Sequence, residues 1–382
     1  MNVVSPLWLF WMALTVVGYW ALPARFREPW LAGLTLAFLA YYSVESAVIL
    51  CLFTVALYYL TDRDHISGHR TLGIAAGVIL VLVYYKLRVA VGFTDFVGRV
   101  AIPLGLSYYA FRCLHYLIER YKGTIRRHSF ESFFSYLFFL PTLLAGPIHR
   151  FPEFRRDLQR KRWDSRNFSE GLERILYGYL TIVFLANLVV NRSFANFIEQ
   201  IDPERESLIA YLTMLKLGFN GYLQFSGYSS IAIGFALLMG YRVMENFNWP
   251  LIRRNISEFW QCWHISLSSW CRQYVYMTVI STTRQPAVAA LCSMLVLGLW
   301  HEISYRYVLW GLYHGVGIAV WQQWQQVKPL IPLPDGTAAR ALGTGASILL
   351  TFHFVMLGFL IPLGDSISET LGMFRSILLF WL

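Results

Sequence analysis

The sequence predicts an all-α, polytopic membrane protein, and three observations carry that expectation. Of 382 residues, 57% are hydrophobic and only 14% are charged, whereas a soluble domain carries roughly 25% charged residues. Apolar windows recur from end to end: Leu7–Leu22, Leu31–Leu60, Leu72–Tyr85, Phe133–Leu144, Ile175–Val190, Tyr228–Gly240, Val288–Trp300, Tyr307–Trp321 and Ala346–Ile361. The basic residues behind the net charge of +10 lie between those windows, as in Arg63–Arg70, Lys122–Arg127 and Arg150–Arg166. That is the pattern of the positive-inside bias, so the charge does not argue for a nucleic-acid partner. Its partner is the lipid bilayer.

Along the chain, each stretch has a reading. Leu7–Leu22 is followed by Arg25 and Arg27, while Met1–Pro6 has no basic side chain; this places the N-terminus outside the cytoplasm and makes the window a poor signal peptide. Leu31–Leu60 would be about 45 Å long as one helix, against a hydrocarbon core of about 30 Å, so it is either strongly tilted or broken in two. Ile102–Gly123 opens on Pro103 and Gly105 and then becomes amphipathic. Arg150–Glu173, rich in Arg and aromatic residues, reads as an interfacial segment on the cytoplasmic surface. Lys328–Ala338, with three prolines, is a weaker break before the last apolar window. A span takes about 20 residues, and shorter runs can be tilted, re-entrant or buried by neighbours, which suggests roughly nine to twelve membrane segments. No window is long and polar enough for a folded soluble domain, so residues 1–382 are expected to form a single integral-membrane domain. The five cysteines show no CxxC spacing and read as small buried hydrophobes.

Chemistry must come from the few ionisable side chains at membrane depth, which are costly and tend to face a cavity. Read as one helix, Trp260–Tyr274 carries an aromatic stripe (Trp260, Trp263, Leu267, Trp270, Tyr274) beside a polar one (Gln261, His264, Ser268, Arg272). Such a helix either lines a cavity or lies at the interface with His264 merely hydrogen-bonded. His301 follows the apolar run Leu295–Trp300 and precedes Glu302, Ser304, Tyr305 and Arg306. A neutral imidazole there can take a proton from an alcohol, its unperturbed pKa of about 6.5 suiting general-base work; the alternative is a core histidine held by a backbone carbonyl. His314 reads first as a packing residue.

Other enzyme classes fail on their motifs. His301-Glu302 starts like HExxH, but Tyr305 stands at the second ligand position, so that zinc pair is absent and no metal is expected. No serine sits in GxSxG, and neither GxxxxGK[ST] nor GxGxxG occurs. A histidine acting on a substrate hydroxyl survives.

Four segments then carry a family resemblance: IPLGLSYYAFRCLHYLIERYKG (Ile102–Gly123), LPTLLAGPIHRFPEF (Leu140–Phe154), the long block from Phe225 to Tyr276, and LGLWHEISYRYVLWGLYHG (Leu297–Gly315). In this order they resemble the membrane-bound O-acyltransferase family, in its bacterial branch that modifies extracytoplasmic polymers; the motifs and catalytic core cover residues 102–321. Where the family often has FDFSGYSD, this chain reads LQFSGYSS, with Gln224 and Ser230 at the acidic positions. YVYMTVIST stands in place of a glycine-rich PLGG, and HEIS in place of the commoner HGxx.

The resemblance implies a ring of tilted transmembrane and re-entrant helices around a central tunnel. It implies an enzyme in the bacterial cytoplasmic (inner) membrane that passes an acyl group from a cytoplasmic thioester, acetyl-CoA or an acyl-carrier protein, to hydroxyls of an extracytoplasmic polysaccharide or cell-envelope polymer. Acetyl is the first expectation and D-alanyl the alternative; a non-enzymatic acyl or lipid conduit would not need the paired histidines. His301 maps onto the family's principal histidine and His264 onto its second, with Ser268, Arg272 and Tyr305 as candidate substrate-binding residues. In that branch a separate extracytoplasmic or membrane-anchored acyltransferase partner protein takes part, so one is expected here.

Overall fold

The computed structural model describes residues 4–61, 66–90, 103–160, 162–330, 336–364 and 366–378. Part of the basic group Arg63–Arg70, Ile102 at the head of the first motif segment, and Pro332 and Pro334 of the proline-rich break lie outside the described residues. In chain order the helices are α1 (Pro6–Ala21), α2 (Arg27–Tyr42), α3 (Val44–Thr61), α4 (Gly68–Ala90), α5 (Leu106–Tyr121), α6 (Phe130–Leu137), α7 (Phe151–Arg160) and α8 (Ser165–Tyr179). Helix α8 runs on through an i→i+5 (π) stretch, Leu180–Phe194, into α9 (Ala195–Glu199). Then come α10 (Glu206–Leu238), α11 (Ile256–Cys262), α12 (Ile265–Cys271), a π turn at Arg272–Tyr276, α13 (Met277–Thr283), α14 (Pro286–His301), α15 (Tyr305–Val327), α16 (Thr337–Gly358) and α17 (Ile367–Leu378). Among the described residues there is no strand, only an isolated antiparallel bridge, Phe247 to Trp263. The protein is all-α.

Among the described residues, four helices are long and apolar enough to cross a membrane: Val44–Thr61, Gly68–Arg88, Ser165–Glu199 and Thr337–Gly358. Pro6–Ala21 and Pro286–His301 are shorter apolar helices. This is fewer than the apolar windows suggest, and Phe133–Leu144 shows one reason. It folds as the short α6 and a 3-10 turn whose Phe133, Phe138, Phe139 and Leu140 are fully buried, so its apolarity fills a core. Leu31–Leu60 is broken in two. Ser43 leaves the helix (φ −164°), its backbone N–H closing α2 on Leu39 O and its Oγ accepting from Ser46 N at 3.1 Å to start α3.

The chain divides into two compact units, Met1–Tyr179 with Gly227–Glu245, and Leu180–Ser226 with Asn246–Leu382. In the first, rings of Tyr136, Phe139, Phe151, Phe154 and Tyr241 pack at centroid distances of 4.9 to 5.7 Å. The second half of α10 lies tight against α8 there, since a Cβ on Gly171 would sit 2.8 Å from Gly234 O. In the second unit α14 and α15 approach just as closely. A Cβ on Gly298 would fall 2.3 Å from Tyr307 O, and one on Gly311 2.7 Å from Met294 O. Small residues permit such backbone contact between membrane helices. That contact sets the end of α14 against the start of α15.

Candidate active site

The expected helix over Trp260–Tyr274 is not continuous. It ends at Cys262, Trp263 is extended, His264 adopts the left-handed conformation (φ 43°, ψ 52°), and α12 restarts at Ile265. The cause is the segment after α10. Asn246, fully buried, accepts from Ile265 N through its backbone oxygen at 2.9 Å. Its Oδ1 accepts from Ser266 Oγ at 2.6 Å and from Ser266 N at 3.3 Å. Asn248 N donates to Cys262 O. These bonds replace the i→i−4 ladder across the break. The amphipathic stripes of a single helix therefore do not exist here, and Ser268 and Arg272 stand on elements that begin after His264.

A histidine at positive φ costs of order 1–3 kcal/mol and persists only where its surroundings enforce it. Here Asn246 does so on one side, and on the other the His264 carbonyl accepts from Leu267 N and Ser268 N at the head of α12. The His264 ring is buried, edge-on to Phe225 at 4.7 Å between centroids and to Trp300 at 6.0 Å. Trp300 in turn meets His301 at 4.7 Å. One indole thus touches both histidines.

His301 is the last residue of α14 and is exposed. The Tyr307 ring is stacked on it (5.4 Å, 15°), and Trp310 packs edge-on at 5.6 Å. The chain turns between α14 and α15 at Glu302, whose N–H still reaches Gly298 O and whose carboxylate pairs with Arg306 at 3.7 Å. Beyond Trp310, His314 is buried between it (4.7 Å) and Trp260 (5.2 Å), as its packing reading anticipates.

The remaining candidates divide. Ser268 is half-buried and its hydroxyl donates to Trp263 O at 2.9 Å, closing the break, so that proton is committed within the fold. Arg272 opens the π turn, exposed, and its side chain has no hydrogen bond or ion pair among the described residues. Tyr305 starts α15 and is 47% exposed. The rings that frame the two histidines, Phe225, Trp300, Tyr307 and Trp310, had no mark in the sequence beyond being aromatic among many. Among the described residues, no cluster of three His, Cys, Asp or Glu could hold a metal ion.

Comparison with known proteins shows the family. The chain is 29% identical to a probable alginate O-acetylase of Pseudomonas aeruginosa, over 95% of this chain and 72% of the relative. It is 32% identical to one of Azotobacter vinelandii, over 79% of this chain and 64% of the relative. With a teichoic acid D-alanyltransferase of Streptococcus thermophilus it shares 30% identity, over 74% of this chain and 73% of the relative. The chain thus spans about two thirds to three quarters of the length of these relatives. The family model for membrane-bound O-acyltransferases matches residues 3–361, and the chain belongs to that family.

Proposed function

We propose that this protein transfers an acyl group, acetyl first, from a cytoplasmic thioester towards hydroxyls of an extracytoplasmic polysaccharide or cell-envelope polymer, in the bacterial inner membrane. The observation that carries the reading is that His264 and His301 both lie against the ring of Trp300. His301, exposed at a helix end, takes the hydroxyl proton as the oxygen attacks the thioester carbonyl. The C–S bond then breaks, and the leaving thiolate recovers that proton from the imidazolium. Buried His264, fixed by its strained backbone, orients the reactants. Arg272 and Tyr305 bind substrate at the exposed edge, and an oxyanion donor comes from this edge rather than from Ser268.

The donor is acetyl-CoA or an acyl-carrier protein, drawn by the basic stretch Arg150–Arg166. D-alanyl transfer from a carrier is the second reading, favoured by the D-alanyltransferase among the relatives. Orienting a long glycan against the thioester is worth several kcal/mol of barrier, so a separate extracytoplasmic or membrane-anchored partner completes delivery to the polymer. Liposomes with donor inside and polymer outside test the whole reading. Thioester turnover by the chain alone, polymer acylation only with a partner, and loss of both in His301→Ala are expected. Efficient polymer acylation by the chain alone would remove the partner, and wild-type turnover by His301→Ala would remove the assigned base.

A further inference from the structure

Ser165–Glu199 is apolar enough to cross a membrane, yet its exposed residues include the amides Asn187 and Asn191, one turn apart. Both face α10 within the second unit. Gln224 Nε2 donates to Asn187 Oδ1 at 2.7 Å, and Asn191 Nδ2 donates to Asn220 Oδ1 at 2.8 Å. The two pairs are one turn apart on each helix, so they form a short ladder. Amides left against hydrocarbon are costly, and polar side chains in spans accordingly face protein or a water-filled path. The ladder is also unsaturated. Each amide offers two N–H groups and two lone pairs, and Gln224 Oε1, a buried atom, accepts no hydrogen bond among the described residues.

Two further facts separate this ladder from simple helix-to-helix bonding. Lys216 continues the stripe of Asn220 and Gln224 one turn earlier on α10, half-buried, its side chain without an ion pair or hydrogen bond among the described residues. A Cβ on Gly221, next to both α10 amides on the helix surface, would meet nothing within 4 Å. The stripe therefore borders open space. At its other end Phe225, the neighbour of Gln224, lies on the His264 ring.

We infer that Lys216, Asn220 and Gln224, with Asn187 and Asn191, form a binding track for a hydroxyl-rich acceptor that carries acidic groups. Sugar hydroxyls donate and accept at once, as the amides do, and Lys216 pairs with a carboxylate of the same chain. The track leads the acceptor to the His264 end of the site. As an acceptor track, it rests on the acyltransferase reading proposed above; as a binding site, it does not.

The test uses full-length protein in nanodiscs, a hexameric oligouronate and a neutral hexameric oligohexose, with binding read by tryptophan fluorescence and thioester hydrolysis measured in parallel. Asn191→Leu/Asn220→Leu removes both partners of one pair, Gly221→Leu fills the open space, and Lys216→Met removes the charge. The first two should weaken oligouronate binding about tenfold or more while hydrolysis stays within about twofold. Lys216→Met should weaken the oligouronate but not the neutral oligomer. Should the double variant fail to fold, Gly221→Leu decides, since its side chain enters empty space. Unchanged oligouronate affinity in Gly221→Leu and Lys216→Met would overturn the track. If His301→Ala still transfers acyl groups while the track variants lose binding, the assigned base fails and the track stands.

Discussion

Two pairs of histidines, one pair in each unit, have different surroundings. In the first, His115 and His149 are fastened by hydrogen bonds: Phe151 N donates to His115 Nε2 at 3.2 Å, and Thr142 Oγ1 meets His149 Nδ1 at 3.0 Å. Both are buried beside cations, Arg150 near His115 and Arg112 near His149. In the second, His264 and His301 are framed by aromatic rings, one on a strained backbone and the other exposed at a helix end. A buried histidine beside an arginine is a poor proton acceptor, whereas an exposed one such as His301 can serve a substrate. The sequence does not make this distinction, since all four lie in segments that resemble the family.

The comparison breaks most sharply at His301. His301→Ala should reduce acyl transfer by about 10²–10⁴-fold, as for loss of a general base, with abundance in the membrane unchanged by immunoblot. His264 comes next. His264→Asn keeps a residue that tolerates positive φ and should fold normally yet lose roughly tenfold or more in transfer through misplaced reactants. Normal transfer by a well-folded His264→Asn would reduce that residue to a packing role.

On the other side of the comparison, His115→Leu should cost about 1–3 kcal/mol of stability, because the Phe151 N–H is left buried without its acceptor. Transfer per folded molecule should be unaffected, and a thermal melt beside a specific-activity measurement reads both. Burial, and then the Arg150 charge, lower the pKa of His115 from 6.5 to about 3. Below 6.5 the unfolded chain binds this proton and the folded one does not. The stability held above pH 6.5 is therefore lost progressively as the pH falls towards about 3. Thermal melts of wild type should show that slope, and His115→Gln should flatten it.

The smallest effect is expected at Arg112. It is fully buried, donating from Nη1 to Tyr136 O at 3.3 Å while Nε and Nη2 have no hydrogen-bond partner among the described residues. Replacing it by methionine removes a poorly compensated buried charge and keeps volume, so stability should stay within about 1 kcal/mol of wild type or rise. A large loss of transfer in well-folded Arg112→Met would move functional weight into the first unit and weaken the contrast.

The composition, the spacing of apolar windows and the four motif segments were enough to read an all-helical membrane protein of the acyltransferase family, with His264 and His301 as the residues to watch. Those features are local: apolar length selects spanning helices, and motif residues keep their order along the chain. The break between Cys262 and Ile265 was not legible, because Asn246, 20 residues before Ser266, outbids the helical ladder that local periodicity predicts. Nor could Trp300, Tyr307 and Trp310 be chosen from the chain's aromatic residues, since 17% of it is Phe, Trp or Tyr and only the glycine-close packing of α14 on α15 selects these three. The division of Phe133–Leu144 from the helices long enough to span came the same way, burial in a core and burial in lipid drawing on the same residues. The sequence by itself determined class, family and candidate chemistry; the tertiary structure decided which rings and backbone constraints surround each histidine, because those depend on contacts between segments far apart in the chain.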